Sequence, residues 1–247
     1  KIEVCEKIAA AWYADLFVAS WGDLVCTVEG VDATYDLIST AIATYEASIE
    51  VNRYSSKWDA VQQGKASFTP AENRGELVFT DYCASCHVPP LFTDETFHNI
   101  GVPKNPNNPF YVMDQVYLDD GSAINPDGAA WIDPGLAGFL SGVDEAVFTA
   151  WGLVKAEAVA AAYGQQRVPT LRNVDKRPGP GFVKAYMHNG VFKSLDAVAA
   201  FFSAGPTEPE VAENLTWDEG MSLTAEQQAD LVAFLKTLSD GYLSIAK

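Results

Sequence analysis

Apolar residues recur at helical spacing in several stretches of this chain, and between those stretches the spacing is lost. From Ile2 to Trp21, the residues Ile8, Trp12, Leu16 and Phe17 fall on one face, which predicts a helix. A Gly-Asp turn follows. Asp32 then stands where it can cap a second helix, from Ala33 to about Ile49, whose stripe is Leu37, Ile38, Ala41, Ile42 and Tyr45. Thr69-Pro70-Ala71-Glu72 is a capping box with proline at the first helical position. The helix it opens runs through Gly75 and Phe79 into Cys83. A second capping box, Thr224 with Gln227, opens a last helix in which Leu231, Phe234, Leu235 and Leu238 recur at helical intervals. Gly75 and Phe79 are expected to cross this last helix at Leu235, glycine allowing the close approach.

The region between them is irregular. Gly101 to Gly138 is rich in Pro, Asn, Asp and Gly and reads as loops pinned by Phe110, Tyr111, Trp131 and Phe139. A helix is predicted from about Asp144 to Tyr163. Arg167 to Gly190 is again loop, with Arg177-Pro178-Gly179-Pro180-Gly181 excluded from regular structure. Ser194 caps a short helix, Leu195 to Ser203. The fold class is mostly α.

Composition adds two constraints. With 247 residues the chain can bury one large core or two small ones. Its net charge of −17 repels nucleic acid and anionic lipid, and suits either a basic protein partner or solubility in a salty habitat. No apolar run is long enough to span a bilayer. Lys1 begins directly in an amphipathic segment with no secretory leader, so a processed or truncated chain is expected.

The chemistry lies in Cys83-Ala84-Ser85-Cys86-His87, which reads as a covalent c-type haem attachment site. Two cysteines at i and i+3 share one face of a helical turn, spaced for thioethers to the two vinyl groups of one porphyrin. His87 follows as the proximal iron ligand. A zinc half-site or a redox dithiol is the alternative. Zinc would want a second Cys/His pair, and no βαβ pattern supports the dithiol. Haem is attached outside the cytoplasm, so a periplasmic location is expected. There the remaining pair, Cys5 and Cys26, would form a disulfide closing a loop of about 20 residues, for about 3 kcal/mol; two buried free thiols are the alternative.

Several stretches, in order, resemble one family. They are Tyr54-Ser55-Ser56-Lys57-Trp58-Asp59, the haem motif, Leu91-Phe92-Thr93-Asp94 with His98-Asn99-Ile100-Gly101-Val102-Pro103, and Pro169-Thr170-Leu171-Arg172-Asn173-Val174. Ala185-Tyr186-Met187-His188-Asn189-Gly190 and Leu231 to Leu238 follow. The chain resembles the C-terminal, electron-transfer half of the bacterial di-haem cytochrome c peroxidases and the related MauG enzymes. That implies a cytochrome c-like haem domain over residues 63–247. Residues 1–62 would be a helical pair resembling the elements that pack against the N-terminal, peroxide-reactive haem domain.

The resemblance also implies a distal ligand, Met or Tyr, at a position where this chain has Phe202, which cannot bind iron. Met187 is the first candidate to replace it; Met113, Met221, His98 and His188 are the others, and an open site is the remaining option. His98 and His188 otherwise read as hydrogen-bonded loop histidines near a propionate. Arg172 is a candidate propionate partner through a bidentate pair, or else a surface arginine. Calcium is implied only through the family, and the Arg177–Gly181 insertion alters the loop that would hold it. Asp119-Asp120 and Asn125 to Asp127 lack EF-hand spacing and read as turns.

Three functions are consistent with these features. The first is a c-type electron-transfer protein serving a redox partner with a basic surface. The second is part of a di-haem peroxidase, active on hydrogen peroxide only if a second haem domain or subunit is present. The third is a haem-based binder of small ligands or a subunit of a redox complex.

Overall fold

The computed structural model describes residues 1–48, 50–52, 54–179 and 181–242. The fold is mostly helical, with an N-terminal group of helices and long loops, and the chain divides into two compact units, one of residues 1–54 and one from Ser55 onward. The expected boundary after residue 62 would have cut off α4 (Lys57–Gln62), but the Trp58 N–H donates to the Thr237 carbonyl at 3.1 Å and holds that helix in the second unit.

In the first unit the opening helix is interrupted. It forms as α1 (Ile2–Ala9) and α2 (Ala14–Trp21), with the Ala11 and Ala14 N–H groups closing tight turns onto Ile8 and Ala11. Cys5 and Cys26 are joined in a disulfide with their Cα atoms 5.5 Å apart. A continuous helix would carry Trp21 about 24 Å from Cys5. The five residues to Cys26 span at most about 18 Å, so an unbroken helix could close this bond only with those residues fully extended. The break also leaves Trp12 88% exposed, off the stripe expected for it. α3 (Val31–Glu46) starts earlier than expected. Gly30 is its N-cap, and Asp32 lies in its first turn, paired with Lys1 at 2.9 Å. Ile49, the expected end of that helix, lies outside the described residues. Val31, Thr34 and Ile38 face inward, and Thr34 Oγ1 accepts from the Val25 N–H at 3.0 Å.

The second unit is organised by α5 (Pro70–Tyr82) crossing α10 (Ala225–Lys236), both opened by complete capping boxes. The glycine at the crossing is Gly75, as expected, but it meets a different residue. A Cβ there would run into the Asp230 carbonyl, more than a turn before Leu235, and approach Phe234. Arg74 clasps Asp230 through Nε and Nη2 at 2.6 and 2.9 Å beside this contact. Phe79, Phe92 and Phe234 form the buried centre, with Phe79 5.1 Å from Phe234 and 5.5 Å from Phe92 between ring centroids. α9 (Leu195–Ala204), capped by Ser194, packs Leu195 and Ala199 onto the same core.

The connecting region carries more structure than its composition suggested. β1 (Phe97–His98) pairs antiparallel with β2 (Gln166–Arg167). Asn99 uses its side chain fully: Nδ2 donates to the carbonyls of Val211 and Glu213, and Oδ1 accepts from the Gly101 N–H. Phe110 stacks edge-on against Trp131 at 4.7 Å, whereas Phe139 is 71% exposed and pins nothing. Phe139 belongs to α6 (Leu136–Ser141). The helix expected from Asp144 to Tyr163 is two, α7 (Glu145–Ala150) and α8 (Lys155–Ala161), because Gly152 turns the chain at φ +71°. Asp120 accepts from Ser122, and Asn125 donates to Phe110 and Gly128 carbonyls, so both acidic clusters are turns. Pro180, within the expected irregular run, lies outside the described residues. Among the described residues no helix is long and apolar enough to cross a membrane.

Candidate haem site

Cys83 is the residue at which α5 ends. Its N–H still donates to the Phe79 carbonyl, at 2.8 Å. The Cys86 and His87 N–H groups both return to the Cys83 carbonyl, at 3.2 and 2.9 Å, so the motif is wound as one further turn. Both cysteines are half-buried. Burial, and then the neighbouring Cys86, push the Cys83 thiol up to about 12, which keeps it protonated at neutral pH.

His87 Nδ1 lies 3.0 Å from the Phe92 carbonyl oxygen. That contact favours the tautomer with the proton on Nδ1 and the lone pair on Nε2, the arrangement by which a second neighbour orients a ligating imidazole. Phe92 can offer its carbonyl because it sits at φ +58°, its N–H held by Val88. Burial lowers the His87 pKa against the pull of the Phe92 and Pro169 carbonyls, which favours the neutral, ligating form. Two thiols spaced i and i+3 on one turn, with a neutral imidazole next in sequence, are a donor set that fits a covalently held haem.

The other sequence candidates fall in different places. Arg172, a propionate candidate, is buried rather than on the surface: its guanidinium donates to Asp59 Oδ2 at 2.9 Å, to Ser56 Oγ and to the Pro90 carbonyl. It also lies 4.8 Å over the Trp58 ring. His188 approaches Glu210 at 3.7 Å. Met187 stands at the corner of a turn at φ +67°, its carbonyl accepting from Gly190. Met113 lies in a 3₁₀ turn, Pro109–Gln115. Phe202 packs its ring against Phe201 and Trp217, each with centroids 5.3 Å away, and its carbonyl accepts from the Met221 N–H at 3.0 Å.

One association had no local signal in the sequence. His98 Nε2 is 3.9 Å from Cys86 Sγ and 2.9 Å from Thr96 Oγ1. With Asp94, these two form a group whose donor atoms all lie within 4.8 Å. Among the described residues it is the only such group of three. β1 pairing with β2 holds His98 there, eleven residues beyond the motif. The zinc alternative would use this group but leave Cys83 without a role.

No protein-family profile matches the chain. It is 31% identical over 237 residues to the methylamine utilization protein MauG of Paracoccus denitrificans, covering 85% of this chain and 52% of that protein. It is 30% identical over 206 residues to the cytochrome-c peroxidase IdrP1 of Denitromonas iodatirespirans, covering 81% and 48%. The chain thus spans about half the length of the curated relatives it matches. In fold it is similar to the diheme peroxidase BthA of Burkholderia thailandensis, with a TM-score of 0.67 at 23% identity over 98% of this chain and 59% of that one. Motif and overall fold agree with the likeness in sequence: this chain is homologous to the MauG and di-haem cytochrome c peroxidase family.

Proposed function

We propose that this chain is a c-type electron-transfer protein resembling the electron-transfer domain of the di-haem peroxidases. Cys83 and Cys86 would each add an S–H across one vinyl group of a haem, and His87 would offer Nε2 to its iron. A haem held there supplies a one-electron couple. The carbonyl of Phe92 orients the imidazole, while Phe79, Phe92 and Phe234 keep water from the core behind the motif. The observation that carries this reading is the wound turn ending in an imidazole whose Nδ1 is occupied by Phe92. The net charge of −17 supports a redox partner with a basic face, and the family's usual location supports the periplasm.

The test is expression in a host competent in cytochrome c maturation. A coloured product, heavier than the polypeptide by one haem, is expected, with covalent haem lost in a Cys83→Ala/Cys86→Ala double variant. A colourless product of bare polypeptide mass would sink the reading.

A second reading has its own support. The relatives named as peroxidases are about twice as long as the stretch matched here. On that reading the chain is the electron-feeding part of a peroxidase whose peroxide-reactive haem lies on another segment. Peroxide turnover that appears only when such a domain is added would favour it.

A further inference from the structure

We propose that the hairpin of residues 116–124 is a docking arm for a partner protein that presents a ring of Lys and Arg around an apolar centre. The proposal rests on the electron-transfer reading only in taking that partner to be a redox protein. The hairpin lies between the stretches that carry the family resemblance, which end at Pro103 and resume at Pro169. Tyr117 faces Ala123 across it, and the Leu118 and Ile124 N–H groups donate to the carbonyls of Ser122 and Val116 at 2.8 and 2.9 Å. Asp119, Asp120 and Gly121 make the tip, with Gly121 at φ +84°.

Side chains alternate along a strand, so Val116, Leu118 and Ile124 share the face opposite Tyr117. All three are exposed, at 45, 53 and 39%. Single apolar side chains on a surface call for no explanation, but three adjoining ones on a two-stranded arm do. The arm is held firmly at its base. Asn125 is buried there; its Nδ2 donates to the Phe110 and Gly128 carbonyls at 2.8 and 3.0 Å, and its N–H to the Met113 carbonyl at 3.3 Å. A surface fixed in advance loses little freedom when it binds.

Charge selects the occupant. From Asn105 to Val154 the chain has seven acidic residues and no Lys, Arg or His, and Asp119 and Asp120 stand exposed at the tip. A second copy carries the same net charge of −17 and is repelled, as are anionic lipid and nucleic acid. Specific protein interfaces place an apolar centre inside a polar rim, and opposite charges across that rim set the partner. The complement of this arm is therefore a protein's apolar patch with a basic border.

The experiment titrates the full chain, matured with haem, against a small basic cytochrome c as probe, by calorimetry at low and high salt. Leu118→Ser and the tip variant Asp119→Asn/Asp120→Asn are compared with a control, Asp23→Asn/Glu29→Gln, which removes two exposed acids of the first unit. The parent should bind at low salt and weaken as salt rises. Leu118→Ser and the tip variant should each raise Kd about tenfold, and the control less than about twofold. The urea midpoint of Leu118→Ser should match the parent's. No binding by the parent, equal weakening in tip variant and control, or an unchanged Kd in Leu118→Ser would overturn the proposal. A parent that dimerises through Leu118 would give the face to a second copy and overturn it as well. So would a lowered urea midpoint in Leu118→Ser, since the chain would then be covering that face itself. A colourless parent that still binds the probe through the arm would keep the arm and sink the haem reading; a haem-loaded parent that ignores the probe would do the reverse.

Discussion

Arg172 Nη1 donates to Asp59 Oδ2 at 2.9 Å, joining residues 113 apart in sequence, and the guanidinium side chain is only 2% exposed. Asp59 Oδ2 also accepts from the Ser56 N–H, so one oxygen both caps α4 and neutralises the buried cation. The same guanidinium lies 5.1 Å over Phe92, whose carbonyl holds His87. α4 thereby supports the imidazole through two intervening residues.

Arg172→Ala should therefore be costly. It leaves Asp59 poorly solvated without its countercharge, a loss of about 3–5 kcal/mol for breaking a buried pair. Urea unfolding should show it. The double variant Arg172→Met/Asp59→Asn should lose less than the two single changes summed, since it leaves no charge unpaired. Additive losses would show that the two side chains act independently.

At Gly75 two effects oppose each other. Alanine in a helix interior gains about 1 kcal/mol over glycine by propensity. Here its Cβ would meet the Asp230 carbonyl, and separating α5 from α10 costs about 1–3 kcal/mol. Backbone cannot yield as a side-chain tip can, so the steric cost wins and Gly75→Ala should lower the urea midpoint. A raised midpoint would mean that the crossing is looser than described.

Glu72 gives the stability an acid-side dependence. Burial is the largest single influence on it and acts upward. The bonds from Lys57 Nζ at 2.6 and 2.9 Å and from the Thr69 N–H at 2.7 Å together outweigh it, leaving the carboxyl below its ordinary value. A group lowered on folding contributes fully above its unfolded pKa, about 4.3 for glutamate, and that contribution fades as pH falls through the lower folded value. Glu72→Gln should be less stable than the parent at pH 7 and should show a shallower fall in urea midpoint below about pH 5. Parallel curves for the two proteins would contradict this.

What could be read in advance was local. Thr69 and Thr224 announced the two core helices because a capping box is written within four residues, and Ser56 with Asp59 carries the same signature, passed over at α4. The haem motif is equally compact. The break between α1 and α2 was not legible, because neither glycine nor proline stands between Ala9 and Ala14. Gly152 could have been read as a divider of α7 from α8, since the expected helix ran through it. Nothing near Arg172 in sequence names Asp59 as its partner. The rung between Phe202 and Met221 likewise depends on how the loop returns from α9 to α10.

The amide of Asn99, with both of its donated bonds and its accepted one in place, acts as a latch between the strand beyond the motif and the segment leading to Trp217 and Met221. Electrons hop fastest to a centre whose surroundings scarcely shift between its two charge states. On the electron-transfer reading proposed above, a closed clasp of protein atoms at this point would lower the reorganisation that each hop requires, and would set a speed as well as a shape.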